Sequence, residues 1–237
     1  MSTGPAEPAH ATPDPARART SPRAPSTRPA AQPPRPWLVS AARRTGRFVG
    51  HRLLRADVRG AEHVPLHGPV LLAGNHTSAL DGPLLYAFSP RPVMVLAKSE
   101  LFRGPLAPLL PQLGAIAVHR GTPDRAALRA ALMHLGAGGA VGVFPEGTRG
   151  AGRFDEVAHG LAYLAVRSGA PVVPIVVQAP RSRTSGGGRP PVRIVFGPPL
   201  IVQFEGDSRA RRTVSLAAEQ LRLALVDHLR RTTGDSP

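Results

Sequence analysis

The chain has 237 residues, 42% of them hydrophobic and only 4% aromatic, with no cysteine and a formal net charge of +15. That length holds one sizeable core, built mainly from Leu, Val, Ile and Ala. The lack of cysteine excludes disulfides, thiolate metal sites and a cysteine nucleophile. Lys98 is the single lysine, so the charge is arginine. An arginine excess suits anionic lipid or nucleic acid, and equally a compositional bias shared with Ala, Pro and Gly.

Residues 1–36 are Pro, Ala, Arg, Ser and Thr. Such a segment buries too little apolar surface to offset chain entropy, and the expectation is a disordered tail. It has no secretory apolar core. Residues 37–57 form the next unit. On a helical wheel Leu38, Ala41, Ala42, Thr45, Phe48, Val49 and Leu53 share one face, with Arg43, Arg44, Arg47 and Arg55 off it. Two readings stand for this helix: a packing element, or a basic amphipathic helix on anionic lipid. No stretch reaches the roughly 18 apolar residues of a spanning helix, so a membrane contact would be peripheral.

Residues 58–237 form the main domain. Apolar, β-rich runs at 69–73, 92–97, 115–118, 141–144, 172–177 and 192–196 alternate with helical patterns at 78–88, 124–135, 156–168 and 208–231. Continuous apolar strands separated by helices predict an α/β fold, a mostly parallel sheet flanked by helices. The glycines of TSGGGRPP are followed by no lysine, so that segment is a loop and not a P-loop.

Polar clusters follow three of the strands, where open α/β sheets bind ligands. In NHTSALD, His76 and Asp81 would stand about 140° apart on a straight helix. They meet only if His76 lies in the loop before the helix and Asp81 on its first turn. The pair then reads as a general base with an orienting carboxylate, or as a helix-capping arrangement. In GAIAVHRG, Arg120 stands at a strand end as an anion ligand or a solvated side chain. In VFPEGTRG, Pro145 fixes a turn, Gly147 lets the backbone approach a ligand, and Glu146 and Arg149 place opposite charges beside a strand; a surface turn is the other reading.

NHTSALD, GAIAVHRG, FPEGTR and VVPIVV, in this order and spacing, resemble the glycerolipid acyltransferase family, whose type member is the lysophosphatidic acid acyltransferase. The resemblance runs from Val58 to Leu200. It implies transfer of a fatty acyl group from a thioester, acyl-CoA or acyl carrier protein, to the free hydroxyl of lysophosphatidic acid. By the same resemblance His76 is the base and Asp81 its orienter. Lys98, Arg120, Glu146, Gly147, Thr148 and Arg149 bind the acceptor. No metal or cofactor is implied beyond the acyl donor. The implied partners are an anionic membrane surface, a lysophospholipid and the acyl carrier, at the cytoplasmic face of a membrane. Gly150, His159-Gly160 and His119 depart from the family's usual residues, where acceptor choice is set, so another lysolipid acceptor stays open. Two other classes fit the sequence less well. A metal-dependent hydrolase using His76, Asp81 and Glu146 lacks a second histidine at ligand spacing. A nucleic-acid-binding protein lacks stacking aromatics and a binding motif.

Overall fold

The computed structural model describes residues 34–119, 124–146, 152–154, 159–178 and 192–234. The expected tail, 1–36, lies outside these residues except for its last three positions. Arg35 there donates its N–H to the Gln112 carbonyl, and Pro36 opens the first helix.

Among the described residues, seven strands form one sheet: β1 (Asp57–Arg59), β2 (Val70–Gly74), β3 (Val93–Lys98), β4 (Ala115–Val118), β5 (Ala140–Val143), β6 (Val172–Gln178) and β7 (Arg193–Phe196). Their spatial order is β1-β7-β6-β2-β5-β3-β4. All pairs are parallel except β6 with β7. The mostly parallel sheet matches expectation. β1 was not foreseen, being only three residues long.

Among the described residues, five α-helices flank the sheet: α1 (Pro36–Leu53), α2 (Asp81–Phe88), α3 (Arg125–Gly136), α4 (His159–Ser168) and α5 (Arg211–Thr233). β2 and β5 are buried along their whole length, which explains why they read as unbroken apolar runs. Their side chains alternate between two cores. Leu71 and Ala73 join α3, α4 and α5 on one face; Val70 and Leu72 join Leu84, Leu85 and Phe88 of α2 on the other. Each fully buried Leu or Val contributes about 1.5–3 kcal/mol.

α1 packs on α2. A Cβ at Gly46 would stand 2.8 Å from that of Ala87, and one at Gly50 2.5 Å from the Phe88 ring, so only glycine permits this approach. The inward face of α1 is therefore Val39, Gly46 and Gly50 with Arg43 and Arg47. Trp37 and Phe48, both 66% exposed, and Leu53 face outward. This corrects the expected division of the helix: Arg43 and Arg47 do not flank an exposed stripe but turn toward α2, while Arg44 and Arg55 stay exposed. None of the described helices is long and apolar enough to cross a membrane.

Candidate active site

The helix after β2 runs to one face of the sheet, toward α1, and the helix after the adjacent β5 to the other. That divergence opens a crevice at the carboxyl ends of β2 and β5, the usual ligand position in such sheets. A separate hollow of about 500 Å³, lined by Pro69, Leu135, Gly138 and Arg167, lies at the opposite, amino ends of the same strands.

β2 delivers Asn75 and His76 to the crevice. Asn75 is buried, and its side chain pairs with the backbone of Val177 on β6. Nδ2 donates to the carbonyl at 3.2 Å, and Oδ1 accepts the N–H at 2.8 Å. The amide thus continues the β2–β6 ladder where the main chain turns away, fixing the base of the His76 loop.

His76 lies in that loop and Asp81 is the first residue of α2. His76 Nδ1 is 3.2 Å from Asp81 Oδ2. The same oxygen accepts the N–H groups of Thr77 and Ser78, each at 2.7 Å, and Oδ1 accepts the Ser78 hydroxyl at 3.0 Å. These bonds explain why α2 begins at Asp81 and not at the expected Ser78: the amides that would open a helix are already turned onto the carboxylate. Asp81 is fully buried and accepts at every contact, the condition under which a carboxylate is tolerated inside a protein. With Asp81 accepting, a neutral imidazole holds its hydrogen on Nδ1 and leaves the lone pair on Nε2. The His76 side chain is 13% exposed, sheltered yet reachable.

Phe144, just past β5, packs its ring against the imidazole. The ring centroids are 4.7 Å apart with 30° between planes. Residues 152–154 fold back onto the same loop. Gly152, at φ 69°, has no room for a Cβ, which would stand 2.3 Å from the Thr77 methyl. Phe154 is buried at φ 56°, a left-handed conformation costing about 1–3 kcal/mol. Glu146 Oε1 accepts the Phe154 N–H at 3.0 Å and secures that turn.

Lys98 ends β3, with Nζ 3.3 Å from Glu100 and its side chain 42% exposed. His119 follows β4; its N–H and Nδ1 both meet Asp124 Oδ2, at 3.1 and 3.0 Å, and Asp124 Oδ1 caps α3 through Ala127. His119 and Asp124 thus repeat the five-residue spacing of His76 and Asp81, but with the histidine exposed. The sheet order places β2, β5, β3 and β4 side by side, so His76, Glu146, Lys98 and His119 line one edge about 14–15 Å long. Of the other expected site residues, Arg120, Gly147, Thr148 and Arg149 lie outside the described residues. Among the described residues, no three His, Asp or Glu side chains are placed to share a metal ion.

Three site residues escaped the sequence reading. Asn75, which opens NHTSALD, and Phe144, within VFPEGTRG, had no assigned role, and their polarity or bulk was the only signal. Ser78, within NHTSALD, was visible but had no assigned role.

Comparison with known proteins bears on the family and the fold. The Acyltransferase family model matches residues 55–178. The 1-acyl-sn-glycerol-3-phosphate acyltransferase of Borreliella burgdorferi is 33% identical over 129 residues, covering 52% of this chain and 51% of that protein. The Pseudomonas aeruginosa enzyme of the same name is 32% identical over 161 residues, covering 65% of this chain and 62% of that protein. The match thus spans about half to three fifths of these relatives' length. The crystal structure of the 1-acyl-sn-glycerophosphate (LPA) acyltransferase PlsC from Thermotoga maritima superposes with a TM-score of 0.56 at 24% identity, covering 79% of each chain, and shares the fold.

Proposed function

The chain belongs to the Acyltransferase family, and on that premise we propose that it transfers a fatty acyl group from acyl-CoA or acyl carrier protein to the free hydroxyl of lysophosphatidic acid, giving phosphatidic acid. The observation that carries this reading is the His76–Asp81 pair: a reachable imidazole with a free Nε2, oriented by a buried, fully hydrogen-bonded carboxylate.

The acceptor hydroxyl oxygen attacks the thioester carbonyl carbon while its proton passes to Nε2. Asp81 stabilises the resulting imidazolium. The tetrahedral intermediate then collapses, the C–S bond breaks, and the departing thiolate takes the proton back from Nε2. The acceptor is itself the nucleophile, so no acyl-enzyme forms. Such a base contributes about 10²–10⁴-fold; positioning of the acceptor adds to it.

Lys98, Arg120 and Arg149 supply cations for the acceptor phosphate, with Gly147 and Thr148 offering backbone and hydroxyl contacts. Glu146 holds the 152–154 turn against the His76 loop, which supports a role in shaping that subsite. The lipid acceptor is reached from the bilayer surface through the outward stripe of α1, Trp37, Phe48 and Leu53, aided by Arg44 and Arg55. The protein then works as a peripheral enzyme on the cytoplasmic membrane face. Purified protein with one labelled acyl-CoA and a panel of lysophospholipids tests the reading. Labelled phosphatidic acid from lysophosphatidic acid is expected; label transferred only to another lysolipid would reassign the acceptor, and no transfer to any would reject the reading.

A further inference from the structure

α2 is a short helix with its two ends held by different parts of the protein. At its start Asp81 meets His76. At its end, about 12 Å away along the axis, the carbonyls that a helix leaves unpaired are taken up by α1. Arg47 Nε donates to the Ala87 carbonyl at 2.8 Å, its Nη2 donates to the Ser89 carbonyl at 2.9 Å, and Arg43 Nη2 donates to that same Ser89 oxygen. Ser89 is fully buried. Two guanidinium groups on the negative end of a helix are electrostatically favourable. Their proximity is not free of cost: burial, then the neighbouring Arg47 charge, pulls the Arg43 guanidinium below its ordinary pKa, and burial raises the Tyr86 hydroxyl beside it. Arg43 Nε and the Tyr86 hydroxyl have no partner of their own. Surface arginines of a merely solvated helix face carry no such cost.

We infer that Arg43 and Arg47 are positioning residues for the reaction, clamping the end of α2 so that Asp81 stays in register with His76. The inference rests on the general-base reading of that pair. Leu84, Leu85 and Phe88 seat α2 on the sheet, but apolar packing is non-directional and sets an axial position less sharply than hydrogen bonds do; α2 has no side-chain cap apart from the Asp81 network, and its two turns are too few to be stable alone. The α1 clamp supplies the second fixed point. It also ties the site to the same helix whose opposite face carries Trp37 and Phe48.

The test compares Arg47→Met, Arg47→Lys and Arg91→Met in the full chain. Arg91 is the control: it donates to the Pro65, Gly68 and Gly138 carbonyls at the far end of the strands, so its loss loosens the fold away from the pair. Two readouts are taken. The first is the chemical shift of the His76 Nδ1 proton by NMR, which reports its hydrogen bond to Asp81 and needs no turnover. The second is kcat and KM with a soluble short-chain lysophosphatidate and acyl-CoA. Arg47→Met is expected to move that proton upfield, because the bond to Asp81 loosens. It should cut kcat about 10- to 100-fold with KM changed less than about threefold, and Arg47→Lys should recover part of both. Arg91→Met should lower Tm without moving either. An unmoved Nδ1 proton in Arg47→Met, or a kcat loss that follows Tm equally in Arg91→Met, overturns the inference. Should Arg47→Met fail to fold, Arg47→Lys decides alone: an upfield Nδ1 proton supports the clamp and a wild-type position overturns it. Acyl transfer that survives His76→Ala would instead remove the general-base reading, whatever the NMR shows.

Discussion

The ring of Phe144 lies over the imidazole of His76, centroids 4.7 Å apart with 30° between planes, while the Nδ1 edge of that imidazole meets Asp81. β5 thereby contributes an aromatic platform to a base that β2 carries. Phe144→Leu keeps apolar bulk but removes the flat face. We expect kcat to fall about tenfold, with acceptor KM within about threefold of wild type. Steady-state kinetics on a soluble acceptor checks this, and an unchanged kcat would show that Asp81 alone orients the ring.

Asp81 performs two jobs that two substitutions separate. Asp81→Asn still offers an oxygen to the Thr77 and Ser78 amides, so the loop should survive, but imidazolium stabilisation is lost. A fall in kcat of about 10²–10⁴-fold is expected with little change in Tm. Asp81→Ala strands two amides and a hydroxyl in a half-buried place, at up to about 1–3 kcal/mol for each unsatisfied group. Its Tm should drop sharply, as calorimetry would report.

His228 and His134 make the fold acid-sensitive away from the site. Burial, the larger cause at each, holds both imidazoles below the ordinary value, although a backbone hydrogen bond opposes it, to Val195 for His228 and to Ala140 for His134. The neutral form is therefore the folded form. As pH falls below the unfolded value of about 6.5, the unfolded chain binds protons that the folded chain refuses, so stability declines from there downward and is flat above. Melting curves from about pH 7.5 to about pH 5 should show this decline, shallower in a His134→Gln/His228→Gln variant. An equal slope in that variant would place the sensitivity elsewhere.

The outward face of α1 makes a separate claim. Inserting a large apolar side chain contributes about 1.5–3 kcal/mol and each nearby arginine about 1 kcal/mol. Trp37→Ser/Phe48→Ser should therefore weaken partitioning onto anionic vesicles more than Arg44→Gln/Arg55→Gln does, and only the arginine variant should lose its deficit at high salt. Vesicle sedimentation measures both; full binding by the Trp37/Phe48 variant would move the contact to another surface.

Sequence made the strands and the His76–Asp81 pair legible for one reason: β2 and β5 are buried on both faces, so their apolar runs stand out, and the polar residues that end them stand out with them. It was less informative about directions. A wheel sorts α1 into stripes but does not say which stripe is inward. Gly46 and Gly50, one turn apart, were the signal that the helix packs through its small residues, and Arg43 and Arg47 share that side. The antiparallel β7 carried no mark of its orientation, since four apolar-rich residues read alike in either direction. Phe144 was hidden inside its own motif, where an aromatic at the end of a strand looks like core.

The central claim is that His76 removes the proton from the acceptor hydroxyl, and the most direct measurement is acyl transfer by His76→Ala from labelled acyl-CoA to lysophosphatidic acid, alongside wild type at matched folded fraction. The imidazole packs on Phe144, while Asp81 keeps the Thr77 and Ser78 amides without it, so the variant should keep its circular dichroism with only a modest fall in Tm. Its turnover should fall by about 10²–10⁴-fold, and added imidazole should restore a measurable part. Turnover near wild type in a well-folded His76→Ala protein would contradict the account.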